Sequence, residues 1–165
     1  MVKTRAISPP QSPPSDRPEV WFFQLERQPL DAALPSLIEK TLEKGWRAVV
    51  QTAVPARVDV IDALLWTFKP ESFLAHGTKA DPQAELQPVY LTDGLENPNG
   101  AACRFLIDGA DVDDLGGYTR LVYLFDGNDD EAVARARLQW KAAKAKGAGV
   151  TYWQQTAQGG WEKKA

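Results

Sequence analysis

Six consecutive residues, Val20-Trp21-Phe22-Phe23-Gln24-Leu25, form an apolar run broken by one glutamine. The run is short and has no polar face. It therefore predicts a β-strand covered on both sides, as strands are in parallel sheets. An amphipathic stretch follows at once. Leu30, Ala33, Leu34, Leu37, Ile38 and Leu42 recur at helical spacing, with Asp31 near the start and Gly45 placed as a C-terminal cap. Pro35 leaves a second start open, because proline also fits the first turn of a helix.

The alternation continues along the chain. Residues 47–52 read as a second strand. Pro55 opens a helix striped by Val58, Ile61, Leu64, Leu65 and Phe68. Lys69-Pro70 stops it, because the residue before a proline is driven out of the α region. Residues 87–92, 103–108 and 121–125 predict three further strands, with turn-like segments at 97–100 and 108–110. The next helix starts near Asn128-Asp129-Asp130, whose acids suit a helix N-terminus, and runs to about Lys146, with Gly147 and Gly149 beyond. Residues 150–155 form a last strand. This order predicts an α/β domain with a mostly parallel sheet and helices on both faces.

The boundaries follow from composition. Residues 1–18 hold Pro9, Pro10, Pro13, Pro14 and Pro18 and no apolar periodicity, which predicts a disordered Pro-rich N-terminal tail. A proline-rich ligand role for residues 8–14 is the less favoured reading. Residues 19–157 are expected to form the single domain and residues 158–165 a C-terminal tail. No apolar run approaches the roughly 20 residues of a membrane span, and no secretory apolar segment opens the chain. Cys103 is the only cysteine, which excludes an intrachain disulfide and a zinc site of the CxxC type. These features predict a cytoplasmic protein.

Catalytic motifs are missing where an α/β sheet invites them. The turn after the first strand reads Gln24-Leu25-Glu26-Arg27-Gln28-Pro29, without GxGxxG, and neither GxxxxGK[ST] nor GxSxG occurs. Gly116-Gly117 and Gly159-Gly160 lack the following helix of a phosphate cradle. His76 is the only histidine, so a triad would need it. Cys103 sits in a strand beside Phe105 and Ile107, where a buried, inert thiol is expected. Asp108, Asp111, Asp113 and Asp114 do not match an EF-hand loop and read as solvated loop acids.

Charge points elsewhere. Seven Lys and Arg against two Glu give residues 131–165 a net +5, which leaves −8 for residues 1–130 of a chain at −3. A protein so divided suits one localised anionic partner better than a long nucleic acid. Arg137, Trp140, Lys141 and Lys144 fall at i, i+3, i+4 and i+7 and share one helix face. Cations around an indole suit a short acidic peptide with an apolar anchor. They also suit stacked single-stranded bases. Alternatively Trp140 fills the core and the lysines complement the helix dipole.

With these pieces in order, residues from Val20 to Gln155 resemble the chi subunit family of the bacterial DNA polymerase III holoenzyme. The marks are Val20-Trp21-Phe22-Phe23, Gly45-Trp46-Arg47-Ala48-Val49-Val50, the segment from Asp62-Ala63-Leu64-Leu65-Trp66 to Glu71-Ser72-Phe73-Leu74-Ala75-His76, and Arg137 through Trp140-Lys141. The resemblance implies a Rossmann-like three-layer sandwich without a nucleotide site and with no cofactor. It implies a non-catalytic, clamp-loader-associated subunit with two partners. One is the psi subunit, met through Trp66, Phe68, Phe73 and Leu74. The other is the acidic C-terminal tail of the single-stranded-DNA-binding protein (SSB), met through Phe125, Arg137, Trp140, Lys141 and Lys144. DNA is then reached indirectly. The family usually has its arginine and its aromatic–lysine pair in a compact run; here Leu138-Gln139 intervene, and Arg135 competes with Arg137 for the role.

Two rival functions remain at this point. One is direct binding of single-stranded nucleic acid. The other is a small-molecule enzyme, whose mark would be a deep polar pocket at the strand C-termini. That pocket is expected to be absent or unremarkable.

Overall fold

A computed structural model describes residues 18–68 and 74–165. Chain order is β1 (Glu19–Leu25), α1 (Leu30–Glu43), β2 (Ala48–Thr52), α2 (Arg57–Thr67), β3 (His76–Gly77), β4 (Val89–Thr92), β5 (Cys103–Ile107), β6 (Arg120–Asp126), α3 (Asp130–Ala145), β7 (Gly149–Gln155) and β8 (Trp161–Lys163). Among the described residues the strands form one sheet, ordered β3-β4-β2-β5-β6-β1-β7-β8. Every pairing is parallel except β7 with β8.

The opening apolar run is β1, and it lies between β6 and β7. Its side chains alternate across the sheet, as a period of two requires. Trp21, Phe23 and Leu25 face the core under α1 and α2, where Leu34, Ile38, Ile61 and Leu65 are buried. Val20 and Phe22 face the opposite core with Leu121, Tyr123, and Ala136 and Ala143 of α3. Both cores are needed to account for a six-residue run with five apolar side chains. Full burial of a side chain such as Phe22 contributes about 1.5–3 kcal/mol, and Phe22 is wholly inaccessible.

The helix ends follow local chemistry. Asp129 caps α3, accepting from the Glu131 and Ala132 N–H groups at 3.0 and 3.3 Å. Gly45 and Gly147 adopt φ of 84° and 86° just past α1 and α3, a conformation that costs glycine least. α1 begins at Leu30, so Pro35 lies inside the helix. Its missing N–H forfeits one helical bond, while the buried ring joins the core. α2 begins at Arg57, two residues after Pro55, which sits in the turn leading into it.

Two features differ from expectation. Residues 158–165 are not a tail, because Trp161–Lys163 pairs with β7 and Trp161 stands edge-on to Phe23 at 4.9 Å. A three-residue strand carries no periodicity, so only this packing reveals it. β3 is shorter still, and its two residues carry no sequence pattern. The proline-rich tail falls on undescribed residues except Pro18, whose carbonyl accepts from the Gly149 N–H at 3.1 Å and so joins the sheet.

α3 covers only half of its face. Over the other half Arg104 of β5 is fully buried. Its guanidinium donates to Gln51 Oε1 at 2.8 Å, to the Gly94 and Glu96 carbonyls at 2.6 and 3.0 Å, and to the Tyr118 hydroxyl at 3.0 Å. One buried cation thereby ties the 93–101 loop onto the sheet in place of a helix.

Candidate functional site: a cation-ringed aromatic cluster on α3

β1 and β6 are neighbours whose following helices leave to opposite faces, which opens a crevice at their C-terminal ends. Its volume is about 600 Å³ and polar groups line it, so the expectation of no notable pocket there is not met. The polar groups are largely committed to the fold. Gln155 Oε1 accepts from the backbone N–H groups of Glu26, Arg27 and Gln28 at 3.1, 2.8 and 2.9 Å. These are the donors that a nucleotide-binding sheet turns toward phosphate, and here a buried side chain takes them. Asp108 accepts from Thr52 Oγ1 at 2.7 Å and from Arg57 Nε at 3.1 Å. The Arg57 pKa is raised, chiefly by its hydrogen bond to Asp31. Asp111 accepts a short hydrogen bond from the Tyr123 hydroxyl. Asp108 and Asp111 are thus structural partners rather than purely solvated loop acids.

Cys103 is buried in β5, and desolvation pushes its thiol up to about 12. It is an inert core residue. His76 is likewise structural. Its side chain is buried, Nδ1 lies 2.6 Å from the Leu74 carbonyl, and Nε2 lies 2.9 Å from Asp62 Oδ1. It ties the middle of α2 to β3.

The α3 face is different. Trp140 is half-buried, its ring 5.7 Å from Phe22 and 5.6 Å from Tyr152, both edge-on. Phe125, at the end of β6, meets Tyr152 at 6.1 Å and 70°. The indole therefore anchors in the core on one side and keeps a surface on the other, combining the two readings of the sequence. Exposed Arg137, Lys141 and Lys144 surround it, and Lys144 Nζ is 5.6 Å from the ring centre. None of the three forms an ion pair among the described residues, so the positive charge there is uncompensated at close range.

Two residues join the cluster that the sequence did not single out. Tyr152 of β7 donates a short hydrogen bond to Gln24 Oε1. Burial raises the Tyr152 pKa, and the nearby Arg137 charge opposes that rise. Phe22 forms the floor beneath both rings. The two-residue alternation of Val150 and Tyr152 signals their shared face, but only the β1–β7 pairing brings them under α3. Arg135 and Arg137 also separate. Arg135 turns toward Gly109 and the strand-end crevice, whereas Arg137 lies beside Tyr152.

The second predicted surface is placed in part. Trp66 is 52% exposed and its ring stands 4.6 Å from His76. Phe68 is half-buried at the core margin. Leu74 is 5% exposed and belongs to the core. It offers no surface itself. Phe73 lies outside the described residues.

Fold and surface together define an α/β protein with an aromatic cluster on α3 ringed by cations. Residues 18–151 match the family described as DNA polymerase III chi subunit, HolC. The chain belongs to that family, whose members are subunits of the DNA replication machinery. A curated relative from Rickettsia prowazekii (strain Madrid E), "Probable DNA polymerase III subunit chi", is 36% identical over 80 residues. The match covers 48% of this chain and 48% of that protein, so the chain spans about half the length of the relative. No described helix is long and apolar enough to cross a membrane.

Proposed function

We propose that the chain is a non-catalytic accessory subunit of the replicative DNA polymerase III holoenzyme in the cytoplasm, and that it links the clamp loader to single strands coated with SSB. The α3 face takes the acidic C-terminal tail of that protein. The observation that carries this reading is the half-buried Trp140, packed on Tyr152 with Phe125 on the far side of that ring, and ringed by three cations that form no ion pair among the described residues. Tail carboxylates pair with Arg137, Lys141 and Lys144, and the tail's apolar end packs on Trp140 and Phe125. The Trp66 edge, with Phe68 and Phe73, docks the psi subunit, and DNA is reached through SSB.

The mechanism is tethering. Many tails on one coated strand raise the local concentration of the subunit without strong individual contacts. Exposed charge pairs make each contact salt-sensitive. Titration of a labelled acidic tail peptide, run beside a bare oligonucleotide of equal charge, tests the reading. Tight peptide binding that weakens in Lys141→Glu supports it. An oligonucleotide that binds as tightly as the peptide favours direct nucleic-acid binding instead.

A further inference from the structure

We propose that an indole-lined groove on the opposite face of the sheet is a second peptide-docking site, taking an acidic segment anchored by an aromatic or large aliphatic side chain. The groove follows from the architecture. Eight strands at about 4.8 Å spacing make a sheet about 34 Å wide, and two helices about 10 Å across cannot cover it. α1 lies over β2 and β6, and α2 over β3 and β4. Among the described residues, β7 and β8 lie beyond the helices on that same face, next to Trp21 and Phe23 at the edge of the core.

Trp21, Phe23, Trp153 and Trp161 fill part of this strip. They leave a cavity of about 350 Å³, also bordered by Leu37 and Val122. That volume lies at the lower end of the range for ligand pockets. Trp153 keeps its Nε1–H buried without an acceptor among the described residues.

The rim fixes the chemistry of the occupant. Lys40 in the last turn of α1 and Lys44 at its C-terminal cap are both exposed, and Arg120 closes the other side. Arg120 is held in place, its guanidinium carbon 3.6 Å from the Trp21 ring centre and Nη2 2.9 Å from Glu19. Apolar walls with a cationic rim select carboxylates beside an apolar anchor. The chain's own N-terminal segment is a poor candidate, because residues 1–17 carry Lys3, Arg5 and Arg17 against Asp16. Like charge on segment and rim disfavours that pairing.

The groove is separate from the α3 face. Trp21 and Phe22 are adjacent in β1 and point to opposite sides of the sheet, so Phe22 floors the Trp140 cluster while Trp21 walls the groove. One chain thereby presents two acidic-peptide sites back to back, the geometry for holding two partners at once.

The test uses the full chain carrying Arg137→Ala and Lys141→Glu, titrated with an acidic peptide ending in phenylalanine. Indole N–H resonances of Trp21, Trp153 and Trp161 are followed by NMR. The expected result is a saturable shift of these signals, with affinity reduced tenfold or more when Lys40→Glu and Lys44→Glu are added. Indoles that stay still, or an affinity unchanged by the lysine substitutions, would overturn the site. Shifts that appear only after residues 1–17 are deleted would assign the groove to the chain's own segment and overturn the choice of occupant. The Trp140 resonance in the unsubstituted chain reports the α3 site separately, so failure of one reading is distinguishable from failure of the other.

Discussion

The indole of Trp140 stands edge-on to the phenol ring of Tyr152, centroids 5.6 Å apart at 71°, with Arg137 close enough to oppose the rise in the Tyr152 pKa. Two residues 12 positions apart, one on a helix and one on a strand, thus share one aromatic unit. Tyr152→Ala should weaken tail-peptide binding about tenfold, by analogy with aromatic pairs worth about 0.5–1.5 kcal/mol beyond area burial. Tyr152→Phe keeps the ring and should leave binding within about twofold, at a stability cost of about 1 kcal/mol for the lost bond to Gln24. Peptide titration and urea unfolding read the two effects separately.

The two arginines of α3 should behave differently. Arg135 faces the Gly109 side and Arg137 the Tyr152 side. Arg137→Ala is expected to weaken the peptide about threefold to tenfold, the range of an exposed charge pair that also touches an aromatic edge. Arg135→Ala should leave the affinity unchanged. Fluorescence anisotropy with both variants checks this, and the reverse order would move the site toward the strand-end crevice.

The Trp66 edge gives a paired prediction. Leu74→Ala should cost about 2–4 kcal/mol, because it opens a cavity in the core. Trp66→Glu should cost much less, about 1 kcal/mol, because that ring is half exposed. Only Trp66→Glu should abolish co-purification with the psi subunit at unchanged fold. Thermal melts beside copurification decide it, and a psi complex that survives Trp66→Glu counts against the assignment.

Arg104 and Glu96 carry the polar half of the α3 side. Removing the buried guanidinium by Arg104→Ala orphans Gln51 and two carbonyls, and should cost about 3–5 kcal/mol in urea unfolding. Burial pushes the Glu96 pKa up, but hydrogen bonds from Thr92, its own backbone and Tyr90, with the Arg104 charge, bring it net below the ordinary glutamate value. A depressed folded pKa gives stability that is fully present above the unfolded value and is lost as pH falls through the folded one. The urea midpoint should therefore drop on acidification from about pH 6 to about pH 3, and drop less in Glu96→Gln.

Much of this molecule was legible because its strands are short apolar runs and its helices have clear stripes. β1, β2, β5, β6 and β7 and all three helices lie where the periodicity predicts, to within a few residues at the ends. β3 and β8 were not legible, because two- and three-residue strands carry no pattern and depend on partners distant in sequence. The cations and Trp140 could be read from helix spacing alone. Tyr152 could not, since its place under α3 depends on β7 pairing with β1. The same holds for Gln155, whose side chain fills the turn after β1 from 127 or more residues away. The indole groove has no sequence signal for a related reason: Trp21, Trp153 and Trp161 meet only in the folded sheet.

The most direct test of the central claim is the affinity of an acidic, phenylalanine-terminated SSB tail peptide for the full chain and for Lys141→Glu, each measured at low and high salt. Lys141 is exposed on α3, so the substitution leaves the fold intact. Reversing its charge removes an attraction and adds a repulsion, and the affinity seen by Trp140 should fall about tenfold at low salt. The gap should narrow as salt rises. Equal affinity in the two proteins at low salt, with the Trp140 signal still responding, would contradict the assignment of the α3 face.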